Sequence, residues 1–290
     1  MSITILDGGM GQELIKRSSD PPTPLWSTRV MIDYPHLVRA VHDDFFAAGA
    51  DVATANTYAI LHDRLQKHGL DHRFRELHET GCNLANEARD AHGGGRVAGS
   101  LGPIGWSYRA DMAPPPDEAA GIYAEIVAIQ APLVDLFLCE TMSGVDQAQG
   151  AVMGAKTGGK PVWLAISVSD EDGTNFRSGE PVTDILPVVD ALAPEALLVN
   201  CSTPEAVSQA LPLLAPHGIP LGAYANGFTG ISGAFAKGTT SVDLLTSRQD
   251  FTPALYADFA EQWAEMGAEI IGGCCEVGPA HIAELKRRFT

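Results

Sequence analysis

Three cysteines stand where a metal ion could use them. Gly272-Gly273-Cys274-Cys275 lies near the end of the sequence, and Asn200-Cys201-Ser202 lies well before it. Each cysteine closes an apolar run that reads as a β-strand, so three thiolates can surround one ion if those strand ends converge. Structural zinc sites usually close with four protein ligands, whereas three leave the open position of a catalytic zinc. A free thiol is mostly protonated at neutral pH, and coordination removes that proton. Such a site suits an external thiol that attacks an alkyl carbon, in particular a methyl group on a positively charged leaving atom, without a general base. Adjacent cysteines on an extended strand point to opposite faces. Cys274 and Cys275 can therefore share an ion only where the chain is already turning, and Gly272-Gly273 are expected to supply that freedom. The alternative is that all five cysteines are small buried hydrophobes. That reading suits Cys82, inside a helical pattern, and Cys139, which alternates away from Glu140.

Carboxylates also close strands. Asp7 in Leu6-Asp7-Gly8-Gly9-Met10-Gly11 ends the first, and Glu140 in Cys139-Glu140-Thr141 ends the fourth. Together they could hold an α-ammonium group, while the backbone amides of Gly8 and Gly9 approach the α-carboxylate. The plainer alternatives are a turn-former before Gly-Gly for Asp7 and a charged residue at the sheet edge for Glu140.

To bring these residues together, the strand ends must share one rim. Short runs rich in Val, Ile, Leu and Ala alternate with longer amphipathic segments from beginning to end, the pattern of a parallel sheet covered by helices. The strands are expected at 3–8, 51–56, 96–100, 136–140, 162–168, 196–201, 220–225 and 269–273. Helices are expected at 36–48, 74–91, 117–131, 145–156, 183–192, 204–214, 253–266 and 279–289. Asp117, Ser143 and Thr203 read as N-caps, with Pro204 and Pro279 at first helical positions. Gly93-Gly94-Gly95 reads as a helix stop. Eight strand–helix units fit a single-domain (β/α)8 TIM barrel spanning 1–290, with a doubly wound sheet as the competing architecture. The segments after the first, third and seventh strands are long, which places the elaborated face at the C-terminal ends of the strands, where barrels build their active sites.

The 290-residue chain is 45% hydrophobic, with 19 basic and 36 acidic residues for a formal charge of −17. That balance argues against nucleic acid, whose partners carry a basic footprint. No apolar run approaches the ~20 residues of a membrane span and no secretory pattern opens the chain, so no membrane association and a cytoplasmic setting are expected. In a reducing compartment grouped cysteines are more often metal-binding or catalytic than disulfide-bonded.

Seven motifs in order, Asp7-Gly8-Gly9-Met10-Gly11, Asn56-Thr57-Tyr58, Gly99-Ser100-Leu101-Gly102-Pro103, Glu140-Thr141, Asn200-Cys201, Tyr224-Ala225-Asn226-Gly227 and Gly272-Gly273-Cys274-Cys275, resemble the zinc-dependent homocysteine S-methyltransferase family over essentially the whole chain. The resemblance implies a (β/α)8 barrel, Cys201, Cys274 and Cys275 as Zn2+ ligands, and L-homocysteine as methyl acceptor. It also implies that Asp7 and Glu140 contact the homocysteine amino group, that Gly8 and Gly9 lie near its carboxylate, and that Tyr58 and Trp26 face the methyl donor. Aromatic faces attract sulfonium or quaternary ammonium groups. Folate-using relatives carry further modules, so the expected donor is a compact onium compound, S-methylmethionine (or, used less well, S-adenosylmethionine) first and a betaine or dimethylsulfonium compound second. The oligomeric expectation is monomer or dimer.

Two departures stand out. Thr141 replaces a tyrosine found in the betaine-using branch, and Gly278-Pro279-Ala280-His281 replaces a Thr-Pro sequence, which reads as altered helix capping with His281 structural. Rival readings are methylation of another thiol or selenol, a non-catalytic zinc- or thiol-binding barrel, and a cysteine-nucleophile hydrolase, for which no histidine is suggestively placed.

Overall fold

The computed structural model describes residues 2–18, 25, 27–231 and 245–290. Eight strands run in chain order: β1 (Thr4–Ile5), β2 (Val52–Thr54), β3 (Arg96–Leu101), β4 (Leu136–Met142), β5 (Val162–Ile166), β6 (Ala196–Asn200), β7 (Leu221–Tyr224) and β8 (Ala268–Ile271). All neighbouring pairs are parallel, in the order β1-β8-β7-β6-β5-β4-β3-β2. The two ends meet. Leu6 bridges Val52 in parallel, Asp7 N–H donates to Val52 O at 3.0 Å, and Asp51 N–H donates to Ile5 O at 2.7 Å. The sheet is thus a (β/α)8 barrel, and the doubly wound alternative falls away because its sheet would have two free edges.

Strand periodicity sorts side chains into two cores. Leu6, Ala98, Leu138, Ala165, Leu198 and Ile270 pack together inside the barrel. Their neighbours Ile5, Val97, Phe137, Leu164, Leu197 and Ile271 face the helices and join a second, larger core with Phe45, Tyr123 and Trp263. Carried two residues further along the chain, the inward set reaches Ser100, Glu140 and Asn200, so polar groups arrive at the mouth on the same parity that fills the barrel below it.

The surrounding helices are α1 (Met10–Arg17), α2 (Ser27–Asp33), α3 (Pro35–Ala47), α4 (His62–Gln66), α5 (Phe74–His92), α6 (Pro116–Gln130), α7 (Val145–Lys156), α8 (Leu186–Leu192), α9 (Pro204–Leu214), α10 (Pro253–Glu265) and α11 (Pro279–Phe289). The sequence did not anticipate α1, α2 or α4, which are short and lie within βα connections. A 3-10 turn over Val182–Ile185 occupies the start expected for α8. Gly93, at φ +86°, ends α5 as expected. Thr203 caps α9, its side chain accepting from Ala206 N–H at 3.4 Å. Asp117 is no cap: α6 begins earlier, with Pro115 as cap and Pro116 at the first helical position that proline favours. Ser143 likewise yields to Gly144 at the start of α7, its own N–H donating to Gln147 Oε1 at 2.7 Å. No helix among the described residues is long and apolar enough to cross a membrane.

Candidate active site

The inward polar residues of the strand ends bond to one another. Ser100 Oγ donates to Glu140 Oε1 at 2.5 Å and Tyr224 OH donates to Oε2 at 3.3 Å. Across the barrel, Asp7 Oδ2 accepts Thr54 N–H at 2.7 Å and Oδ1 accepts Thr54 Oγ1 at 2.8 Å. Burial dominates both carboxylates. It pushes Asp7 up to about 8 against the pull of Thr54, with the charge of Glu140 adding to the rise, and it pushes Glu140 up to about 7 despite Ser100. Neither has an ion-pair partner among the described residues. Two buried carboxylates without a counter-charge gain most from a bound cation, which restores their ionised forms.

The three sulfurs meet beside them. Cys201, Cys274 and Cys275 are free thiols whose Sγ atoms all lie within 4.8 Å of one another, with Cys274 Sγ 2.8 Å from Cys201 Sγ. Tetrahedral thiolates about 2.3 Å from a zinc ion would stand roughly 3.8 Å apart, so this donor set fits that metal with small adjustments. Hydrogen bonds from Cys274, then Cys275 and Tyr108 hold the Cys201 sulfur well below the usual thiol range.

The turn that aims the paired cysteines is not made by the glycines, contrary to the sequence-based expectation. Cys274 N–H continues the ladder by donating to Ala225 O at 3.0 Å, and Val277 N–H then closes a tight turn on Cys274 O at 3.1 Å. The residue in the left-handed conformation is Glu276, at φ +69°, whereas neither Gly272 nor Gly273 has positive φ. Those glycines are required by close approach: a Cβ at Gly272 would strike Leu6, and one at Gly273 would run into the Val277 side chain.

Cys201 (φ +50°) and Thr141 (φ +63°) also occupy the left-handed region, which non-glycine residues keep only when neighbours hold them there. Asn200 holds Thr141 at both ends, accepting its N–H and donating to its Oγ1, each at 3.1 Å. Arg177 holds Cys201: Nη2 donates to the Cys201 carbonyl at 3.1 Å and Nε donates to Ser167 Oγ at 2.8 Å. Asp170 pairs with Arg177 at 3.0 Å and accepts the Thr203 and Ile231 N–H groups, each at 2.9 Å. The guanidinium lies 4.6 Å from the Tyr108 ring centroid, and Tyr108 OH lies 3.0 Å from Cys201 Sγ. Sequence reasoning missed Asp170, Arg177 and Tyr108. The available signal was the length of the segment after the fifth strand, which carries Asp170 and Arg177.

A cavity of ≈ 110 Å³ opens over this rim, lined by Asp7, Gly8, Gly9, Tyr58, Glu140 and the three cysteines, with Tyr108, Phe228 and Leu245 adding aromatic and apolar wall. Tyr58 OH is 2.8 Å from Ser107 Oγ. The Gly9 amide is already committed, donating to Val277 O at 2.9 Å. Met10 and Gly11, the first residues of α1, line the same cavity, and the first amides of a helix have no intrahelical partner. Trp26 lies outside the described residues. Cys82 and Cys139 are fully buried away from the trio. His281 accepts Gly278 N–H on Nδ1 at 3.2 Å, a capping contact at the start of α11.

Comparison with known proteins agrees over the full length. The profile described as homocysteine S-methyltransferase matches residues 4–289. Homocysteine S-methyltransferase of Escherichia coli strain K12 is 31% identical, the match covering 99% of this chain and 95% of that one. Homocysteine S-methyltransferase YbgG of Bacillus subtilis is 29% identical, covering 98% and 93%. The metallated form of the homocysteine methyltransferase MmuM from Escherichia coli superposes with a TM-score of 0.83 at 27% identity, covering 99% of this chain and 96% of that one.

Proposed function

This chain belongs to the homocysteine S-methyltransferase family, and from that membership we propose that it transfers a methyl group from a small onium donor, S-methylmethionine foremost, to the thiol of L-homocysteine. Cys201, Cys274 and Cys275 would hold the Zn2+, which when bound supplies an ionised acceptor sulfur at neutral pH. The observation that carries this reading is the convergence, in one cavity, of three free sulfurs with two buried carboxylates that lack a counter-charge.

The chain's own residues supply position and charge. Asp7 and Glu140 receive the α-ammonium of homocysteine, and Thr54, Ser100 and Tyr224 fix the directions of their oxygens. The homocysteine carboxylate lies at Gly8 and the amides opening α1, where the helix N-terminus favours an anion. The onium donor occupies the side walled by Tyr58, with its methyl group directed at the sulfurs. As the new S–CH3 bond forms, the donor's S–CH3 bond breaks and its electron pair returns to the donor sulfur, leaving two neutral thioethers. The acceptor's proton leaves to solvent on binding. Holding the two reactants in line provides most of the acceleration.

The test is a donor panel with isotopically labelled L-homocysteine and the zinc-loaded protein, read by labelled methionine. Methionine from S-methylmethionine is expected. Zinc binding with no methionine from any onium donor would leave a metal-binding barrel without this activity.

A further inference from the structure

A metal-bound thiolate in this cavity is a nucleophile whether it belongs to the substrate or to the protein. A methyl group directed at the sulfurs meets Cys201, Cys274 and Cys275 as well as homocysteine, and a methylated cysteine would end the enzyme's working life. Cys201 is turned toward the donor side. Its charge reaches Tyr58, and it packs with Phe228 and Leu245 in the apolar wall. Cys274 packs in addition against the barrel-interior cluster that contains Leu6 and Tyr224.

Cys201 also carries a hydroxyl. Tyr108 lines the cavity, and its OH stands 3.0 Å from Cys201 Sγ. A metal-bound thiolate holds no proton, so in this pair the phenol donates. One guanidinium braces both partners: Arg177 lies 4.6 Å from the Tyr108 ring centroid, and its Nη2 donates to the Cys201 carbonyl at 3.1 Å. Asp170 fixes that guanidinium in turn. Tyr108 and Cys201 both hold left-handed backbone, at φ +64° and +50°, which such residues keep only where the surroundings impose it. The contact is therefore built into the rim on both sides. A hydrogen bond to a thiolate draws charge from the sulfur, and nucleophilicity falls as basicity falls.

We propose that Tyr108 is a positioning residue that reserves the methyl group for the substrate, damping Cys201 by an O–H···S hydrogen bond so that the undamped homocysteine sulfur attacks. Without that hydroxyl, Cys201 competes: an S–CH3 bond forms at its Sγ as the donor's S–CH3 bond breaks, and the electron pair returns to the donor sulfur. Cys201 then becomes a neutral thioether and a poor ligand. The purpose of this device rests on the proposed methyl transfer; the damping itself does not.

The experiment therefore begins with a probe that needs no donor site. Zinc-loaded wild type and Tyr108→Phe, which keeps the ring over Arg177, are treated with deuterated methyl iodide without homocysteine, and initial labelling of each cysteine is mapped by peptide mass spectrometry. Loss of about half a charge-assisted hydrogen bond at the transition state should speed Cys201 labelling roughly 3- to 10-fold, with Cys274 and Cys275 within about twofold of wild type. Zinc content should be unchanged, and in cobalt-substituted Tyr108→Phe the sulfur-to-cobalt charge-transfer band should move to longer wavelength. An unchanged Cys201 rate, a parallel rise at all three cysteines, an unmoved band or loss of zinc would overturn the proposal, the last two patterns of labelling and metal loss being those of a structural prop. A second arm supplies deuterated S-methyl-L-methionine with homocysteine. Wild type should label methionine and leave Cys201 bare, whereas Tyr108→Phe should lose activity over repeated turnovers as Cys201 gains label. No labelled methionine from wild type would overturn the methyl-transfer reading, while the methyl iodide arm still decides whether Tyr108 damps Cys201.

Discussion

Replacing Glu140 by Gln isolates the charge at the centre of the site. The amide matches the carboxylate in shape, so Ser100 Oγ, 2.5 Å from Oε1, keeps an acceptor. What is lost is one charge-assisted hydrogen bond to the homocysteine ammonium, worth about 1.5–3 kcal/mol. At about 1.4 kcal/mol per tenfold, KM for homocysteine should rise roughly 10- to 150-fold. Asp7 remains to hold the ammonium, so binding weakens without disappearing. Zinc content should not change, because no cysteine is touched. The stability effect has the opposite sign. Burial raises the folded-state pKa of Glu140 from 4.5 to about 7, so the ionised form is disfavoured by the fold, and wild-type stability falls as pH rises from 4.5 through 7. The amide carries no such loss, and at pH 8 without substrate Glu140→Gln should unfold at the same temperature as wild type or higher. The assays are steady-state kinetics against homocysteine, metal content and thermal unfolding at pH 5 and pH 8. A KM within twofold of wild type, or loss of zinc, would show that Glu140 does not receive the ammonium.

Cys274→Ser should abolish methionine formation and sharply lower bound zinc while far-UV circular dichroism stays unchanged; full activity in that variant would remove Cys274 from the site. Because Asp7 and Glu140 rise to about 8 and about 7 by burial and must be ionised to hold an ammonium, the KM for homocysteine should fall as pH goes from 6 to 8.5. That slope should be shallower in Glu140→Gln, and a flat wild-type profile would count against the pair. Tyr256→Phe deletes a hydroxyl on α10 that donates to Gly272 O at 2.5 Å and accepts Ala225 N–H at 3.1 Å, tying together the ends of β7 and β8. With two buried backbone groups left unpaired, unfolding free energy should drop by about 2–4 kcal/mol, measured by urea denaturation; an unchanged midpoint would contradict that tie.

The barrel was legible because the strands are short, mostly apolar runs that alternate with helix-length amphipathic segments. The cysteines were legible because all three close such runs. What could not be read was how the chain turns at the rim. Gly272-Gly273 suggested a conformational hinge, yet they serve close packing, and the left-handed positions fall on Thr141, Cys201 and Glu276, whose strain is imposed by Asn200, Arg177 and the turn itself. Tertiary contacts of that kind leave no local pattern. The Gly9 amide looked available in sequence and proved committed to Val277, a residue that follows the cysteine pair on the far side of the barrel seam. Asp170 and Arg177 escaped notice because their loop was not counted among the long ones, and an Asp–Arg pair seven residues apart has no chemical meaning until the fold sets it against both the Cys201 carbonyl and the Tyr108 ring.

The most direct measurement is zinc K-edge X-ray absorption of the zinc-loaded protein with and without L-homocysteine. Three protein sulfurs near about 2.3 Å, joined by a fourth when homocysteine is added, are the predicted result. A metal shell dominated by nitrogen or oxygen, or a sulfur count that homocysteine leaves unchanged, would contradict the account.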